Sequence, residues 1–321
     1  MRDRLVVYML HRFCEREGAH GRIGPAFLRQ ALEFLRRNHI EIHSLRHATD
    51  CVRSDEPLSG VVLTIDDGYA DFAEIAAPIL REYDCPATVF LATGFLDGLY
   101  WFWWDKLEWA IGATTAVEIV VPSGARIPLG TRERRTAASR LLVNWLKLLP
   151  DALRWRIVDA ILAQSGVEMP SAPPVSYRPA SWDTVRSLAG NGLDFAPHTV
   201  SHASLAQTAT ECVRQEVRQS LSCLRARGVD PVPVLAYPYG LAHDVSRRVV
   251  EIVEAEGLWA AFSALPGYVY RAARQDQYML PRFAFPCTML ELRQVVFGFE
   301  VLKAKLRAPI GKRAVVGLAS G

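Results

Sequence analysis

The sequence predicts an α/β protein built on a parallel sheet, either open or closed into a barrel. Three observations predict it. Short apolar runs of strand length alternate with amphipathic runs at helical spacing. The runs at residues 5–10 (LVVYML) and 61–65 (VVLTI) read as buried strands. The residues that look chemical, Asp66-Asp67, His198 and the turn Tyr237-Pro238-Tyr239-Gly240, follow directly on such runs. Parallel α/β folds place function at those strand ends.

The elements follow in order. After the strand at 5–10, residues 25–37 form a helix. Pro25 suits its first turn, and Phe27, Leu28, Ala31, Leu32 and Leu35 recur at helical spacing. The strand at 61–65 leads into a helix over 69–83, where Pro78 is expected to introduce a kink. Residues 86–91 form the next strand. Alternation then breaks over 97–180, which holds six of the eight tryptophans, a β-like piece (VEIVVPSGARIPL), two helical runs and a Pro-rich stretch. This reads as an inserted subdomain. Alternation resumes with a helix capped by Ser181, a strand ending at His198, a helix with Val213, Val217, Leu221 and Leu224 on one face, a strand entering the 237–240 turn, a helix and a last strand.

Bulk properties limit the functions open to it. The chain has 321 residues, 50% hydrophobic and 22% charged, enough for one large domain or two small ones. A net charge of +3 is too weak to argue for nucleic acid. Six cysteines without a C-x-x-C pair are expected to be reduced and mostly buried, as in a cytosolic protein. No apolar run approaches the roughly 20 residues of a membrane span. The run at 5–10 is too short for a signal peptide, since His11-Arg12 follow it. The expectation is a cytoplasmic protein.

The motifs carry the chemistry. His198 and His202, spaced H-x3-H, would share one face of a helical turn and one metal ion. A carboxylate would complete three protein ligands and leave positions open for water and substrate. Asp67 is the candidate. Asp66 would then be the unligated base that takes a proton from water at the metal. Taken singly, each motif has a plain reading: satisfied loop histidines, a capping Asp-Asp-Gly, a tight Tyr-Pro-Tyr-Gly turn. Their order and placement argue for a site.

The segments LTIDDGYADF, HTVSH and AYPYG, in that order, resemble the motifs of the polysaccharide deacetylases with the NodB homology domain, carbohydrate esterase family 4. Flanking stretches match too: CPATVFLATG, SWDTVRSLAGNGLDFAPH and GLWAAFSALPG. The resemblance spans roughly residues 5–96 and 181–290, and leaves out the Trp-rich insertion and the tail. It implies a distorted (β/α) barrel over residues 1–300, interrupted by the insertion at about 97–180, with a basic tail at 301–321. It implies a divalent metal, most often zinc, with cobalt, nickel or iron as alternatives, and hydrolysis of an N-acetyl group from an amino sugar. Asp66 would match the family's base, and Asp67, His198 and His202 its metal ligands. The Tyr239 N–H would help hold the oxyanion.

Two departures stand out. Many members carry in the third motif an Arg that orients the base, where this chain has Ala236; Arg282, in LPRF, is the candidate substitute. Many also carry a late His as general acid, and here no His follows His243. His11, at the end of the first strand, is the candidate acid or metal-site wall; the plainer reading is a structural His paired with a carboxylate.

The expected substrate is an N-acetylated saccharide in a glycan, glycolipid or glycoside. The same metal site would also serve a deformylase or a cyclic imide or ureide hydrolase. A saccharide-binding relative without turnover is the reading from another class, and a purely structural metal site is a fourth. WFWWDKLEW is either a sugar-stacking surface or the aromatic side of a packed helix. The tail beyond Glu300 carries five basic residues and no acid. It would lie on an anionic membrane as a peripheral contact, or fray in solvent. The oligomeric state is left open.

Overall fold

Apolar continuity makes the centre of the molecule. In the computed structural model, which describes residues 4–15, 21–270 and 275–299, β1 (Leu5–Leu10) pairs in parallel with β3 (Gly60–Ile65) along its whole length, from Leu5 opposite Gly60 to Leu10 opposite Ile65. Every residue of β3 is buried, as is every residue of β4 (Ala87–Leu91). Strands covered on both faces need no polar alternation, which is why these read as unbroken apolar runs. β2 (Ile42–His43) and β4 share one edge of β3, at Val61–Val62 and Thr64–Ile65 respectively. β7 (Leu193–Pro197) lies beside β4 and β10 (Phe283–Ala284) beside β1, all parallel. The order is β10-β1-β3-β4-β7, with β2 on β3.

β8 (Val234–Ala236) and β9 (Ala260–Phe262) form a second parallel pair. Two seams connect it to the main sheet. The Val232 N–H donates to Phe195 O at 2.8 Å, on the β7 side. On the other, Phe262 bridges in parallel to Leu280, which leads straight into β10. The strands therefore follow a near-ring with two irregular joints, the distorted form of a barrel.

Helices cover the outside by their apolar stripes. α1 (Pro25–Arg37) buries Leu28, Ala31, Leu32 and Leu35. α9 (Thr210–Ala226) buries Val213, Val217, Leu221 and Leu224 on the face the spacing predicts. Each such leucine or valine, fully buried, contributes about 1.5–3 kcal/mol. α2 (Leu45–Arg53), α8 (Trp182–Leu188), α10 (Arg247–Ala255) and α11 (Met289–Val296) complete the shell.

The helix expected over 69–83 is different in kind. Phe72–Ala76 form a π-turn ahead of α3 (Ala77–Glu82), and the Ala77 N–H donates five residues back to Phe72 O. Pro78 has no N–H to give Glu74 and its ring would press on that carbonyl. The wider turn removes the clash, so the proline acts one turn upstream rather than as a simple kink.

After the short α4 (Thr93–Leu96), the segment over 97–180 holds α5 (Trp103–Ala113), the antiparallel hairpin of β5 (Glu118–Val120) and β6 (Arg126–Pro128), α6 (Arg132–Leu146) and α7 (Asp151–Ser165). The elements from α5 to α7 pack around an apolar centre of their own that includes Trp103, Leu107, Ile111, Ile119, Leu142 and Ile161. Of the cysteines, Cys51 and Cys85 are buried while Cys212 and Cys287 are exposed, so the expectation of mostly buried thiols fails. No helix among the described residues is long and apolar enough to cross a membrane. The basic tail at 301–321 lies outside the described residues.

Candidate active site

Asp66 leaves the end of β3 with its N–H donating to Leu10 O at 2.9 Å, which fixes the backbone before the side chain matters. Its carboxylate is 2% exposed. Arg282, 1% exposed, grips it with two parallel hydrogen bonds: Nη1 to Oδ1 and Nη2 to Oδ2, both 2.8 Å. Arg282 also donates to Ser263 O at 3.1 Å and to Thr64 Oγ1 at 3.1 Å, so the fork is held from behind. Burial alone would raise the Asp66 carboxyl. The charge and hydrogen bonds of Arg282, with His198 nearby, hold it below its ordinary value instead. A bidentate pair of this kind fixes orientation as well as charge.

Asp67 turns the other way. Its φ of 77° and the φ of 93° at Gly68 belong to a left-handed turn, which separates the two adjacent carboxylates. Asp67 Oδ1 faces His198 Nε2 at 3.6 Å and His202 Nε2 at 3.4 Å. His198 follows β7 directly, and its Nδ1 lies 2.7 Å from Ala236 O, which aims Nε2 at Asp67. Burial presses His198 down to about 4, despite the neighbouring carboxylates, so it is neutral at pH 7 with a lone pair to offer. Asp67 is held well below the usual carboxylate range: burial opposes this, and the hydrogen bond and charge of His202, with His11 and His198 nearby, prevail.

The H-x3-H segment is not a helical turn, contrary to the expectation from its spacing. Thr199 and His202 both have left-handed backbones, with φ of 66° and 57°. Side chains supply the acceptors that a helix would have found in its own backbone. Thr199 Oγ1 accepts from the His202 N–H at 3.0 Å, and Glu216 of α9 accepts from the N–H groups of Val200 at 2.8 Å and Ser201 at 2.9 Å.

Asp67, His198 and His202, all buried, present ligand atoms within 4.8 Å of one another. Two donors each about 2.1 Å from a tetrahedral ion stand about 3.4 Å apart, close to the separations from Asp67 Oδ1. Among the described residues, His202 Nδ1 is buried without a hydrogen-bond partner. The donor set, two imidazoles and a carboxylate, fits a divalent cation.

Tyr239 sits in the turn after β8 with φ of 58°. Its ring stands edge-on to His202, centroids 5.0 Å apart. Gly240 follows at φ of 66°, where an added Cβ would lie 2.6 Å from the Ala264 N. His11 lies at the mouth, partly exposed, with Nε2 4.0 Å from Asp66 Oδ2. One cavity of about 460 Å³ brings together all seven residues singled out in the sequence: His11, Asp66, Asp67, His198, His202, Tyr239 and Arg282.

Other residues on that wall were not singled out one by one in the sequence, although Trp104 and Asp105 belong to the WFWWDKLEW run. Trp104, stacked on Phe102 at 4.4 Å, presents an edge to His202 and donates to Tyr69 Oη at 2.9 Å. Tyr69 donates to Asp105 at 2.6 Å, and the Arg12 guanidinium lies 3.8 Å over the Tyr69 ring. Burial pushes Asp105 up to about 8, against the pull of Arg12. Trp104, Asp105 and Lys147 reach the cavity from the 97–180 segment. Of the aromatic run, Trp101 and Trp103 are buried in packing, while Trp104 faces the cavity. A second cavity of about 910 Å³ adjoins the first across Trp104 and Glu108 and is lined by Thr136, Ser139, Arg140 and Asn144 of α6.

The family model described as polysaccharide deacetylase matches residues 53–138 and 152–258. The match takes in much of the insertion, which the motif resemblance left out, and begins after the first strand. Among solved structures, the chain is similar to the Streptococcus pyogenes deacetylase PplD in complex with acetate, at 16% identity over 89% of this chain and 94% of that one, TM-score 0.59. IcaB from Ammonifex degensii matches at 16% over 92% and 96%, TM-score 0.59. A de-N-acetylase from Aggregatibacter actinomycetemcomitans matches at 16% over 92% and 100%, TM-score 0.57. At such identity the likeness concerns the fold. No curated protein sequence matches the chain.

Proposed function

Because this chain belongs to the polysaccharide deacetylase family, we propose that it is a metal-dependent hydrolase removing an N-acetyl group from an amino sugar in a glycan, glycolipid or glycoside. The observation that carries this reading is the buried Asp66–Arg282 pair standing beside the Asp67, His198 and His202 cluster. Asp67, His198 and His202 would hold a divalent cation, zinc before cobalt, nickel or iron, which when bound supplies Lewis acidity toward the acetyl carbonyl and a lowered pKa for water.

The chain's own residues do the rest. Asp66 accepts the proton of the attacking water, and Arg282 keeps both carboxylate oxygens aimed. Its low pKa keeps Asp66 ionised at working pH. The Tyr239 N–H donates to the oxygen where negative charge develops. His11, with Nε2 4.0 Å from Asp66 Oδ2, would return a proton to the departing amine. Trp104 offers a ring edge and face against which a pyranose packs. The adjoining second cavity gives room for further sugar units.

The test has two parts. Plasma mass spectrometry should find near-stoichiometric divalent metal in wild type and little in His198→Ala. Acetate release from an N-acetylated chito-oligosaccharide should fall at least about 10²-fold in Asp66→Asn, with metal content kept. Absence of metal from wild type after titration, or Asp66→Asn turning over at half the wild-type rate, would refute the reading.

A further inference from the structure

We propose that Arg154 and Trp103, both from the insertion, are positioning residues that hold Tyr239 in the conformation its backbone N–H needs. The phenol oxygen of Tyr239 is the meeting point. It accepts from Trp103 Nε1 at 3.0 Å and from Arg154 Nη1 at 3.0 Å. The Arg154 guanidinium also lies 4.7 Å from the centre of the Tyr239 ring. Both donors are buried, Trp103 at 3% exposure and Arg154 at 1%.

Arg154 is itself fixed. It donates through Nε to Leu146 O at 2.9 Å and through Nη2 to Leu149 O at 2.8 Å, and it pairs with Asp151. One guanidinium thus ties the end of α6, the loop into α7 and the turn after β8. Trp103 opens α5, so two helices of the insertion converge on one oxygen.

The turn needs such a hold. Tyr239 is a non-glycine residue at φ of 58°, a region L side chains enter reluctantly. Its own backbone is held only through its neighbours among the described residues: the Tyr237 N–H donates to Phe262 O at 3.0 Å, the Ala264 N–H to Gly240 O at 2.9 Å and the Gly240 N–H to Pro238 O at 2.6 Å. Among the described residues, nothing accepts from the Tyr239 N–H, so it is free to serve a substrate oxygen. The phenol clamp holds the far end of the side chain whose N–H must point into the cavity. The insertion then sets the aim of the oxyanion donor. This rests on the deacetylase reading of Tyr239.

Tyr239→Phe keeps the ring and the backbone N–H and removes the clamped oxygen. Arg154→Met removes one donor, and Arg154→Lys restores a cation. Two readouts separate the clamp from the reading it rests on. The first is kinetics of zinc-loaded protein on a fluorogenic aryl acetate and a chito-oligosaccharide. The second is hydrogen exchange at the Gly240 and Ala264 amides, which needs neither substrate nor metal. Tyr239→Phe and Arg154→Met should lower kcat about tenfold, less than outright loss of an oxyanion donor. KM should stay within about twofold, Arg154→Lys should recover part of kcat, and exchange at the two amides should accelerate about tenfold. Unchanged exchange overturns the proposal. So does faster exchange with wild-type kcat, or a raised KM at constant kcat, which would place the phenol on the substrate. If wild type turns over neither probe, the deacetylase reading fails by itself, and the clamp is judged on exchange alone.

Discussion

At Arg282 and Asp66, two opposite charges are out of water and paired with each other. Such a pair is weak evidence for stability, but removing one partner strands the other. Arg282→Met should therefore lower unfolding free energy at pH 7 by about 3–5 kcal/mol. The sign with pH follows from the carboxyl. Without the guanidinium, burial raises Asp66 above its unfolded value, and a raised group costs most when ionised. The deficit of Arg282→Met should shrink as pH falls from 7 toward 5 in urea unfolding; a constant deficit would contradict the account. The sequence made Arg282 a candidate only through the gap at Ala236. Nothing in LPRF itself says that its side chain crosses 216 positions of sequence to reach Asp66.

Elements were legible where one period governed them. The stripe of α9 and the apolar runs of β1 and β3 emerged as their spacing predicts, because burial of one face or both is written locally. The H-x3-H loop was misread for the same reason. Its spacing is helical, but its hydrogen bonds come from Thr199 and from Glu216, a residue of another element. That gives α9 a second job beyond packing. Glu216→Ala should leave the fold intact and weaken metal affinity about 10–100-fold, as loss of an outer support does. Competition with a chromophoric chelator measures this, and wild-type affinity in the variant would deny α9 that role. The π-turn before Pro78 was half legible: the proline signalled disturbance, but not where the strain would be released.

Across the whole molecule, the near-ring gathers the ends of β1, β3, β7 and β8 at one mouth, which alternation alone foretold. The docking of the 97–180 segment was not foretold, because Trp103 and Arg154 meet a turn 136 and 85 residues away. The gathered site also links stability to protons. His198 binds a proton in the unfolded chain near its ordinary 6.5 and in the folded chain only near 4. Unfolding therefore takes up a proton between those values, so chelator-treated protein should lose stability as pH falls from about 6.5 to 4. Replacing His198 with Asn should flatten the Tm profile across that window; parallel profiles would contradict it. Added zinc should raise the wild-type Tm by mass action, and not that of the variant. The surface offers one practical opening as well. Cys287 is an exposed free thiol on the wall of the second cavity. With Cys212 replaced, a fluorophore attached at Cys287 becomes a built-in gauge of what enters, one that can screen saccharides before any product has been identified.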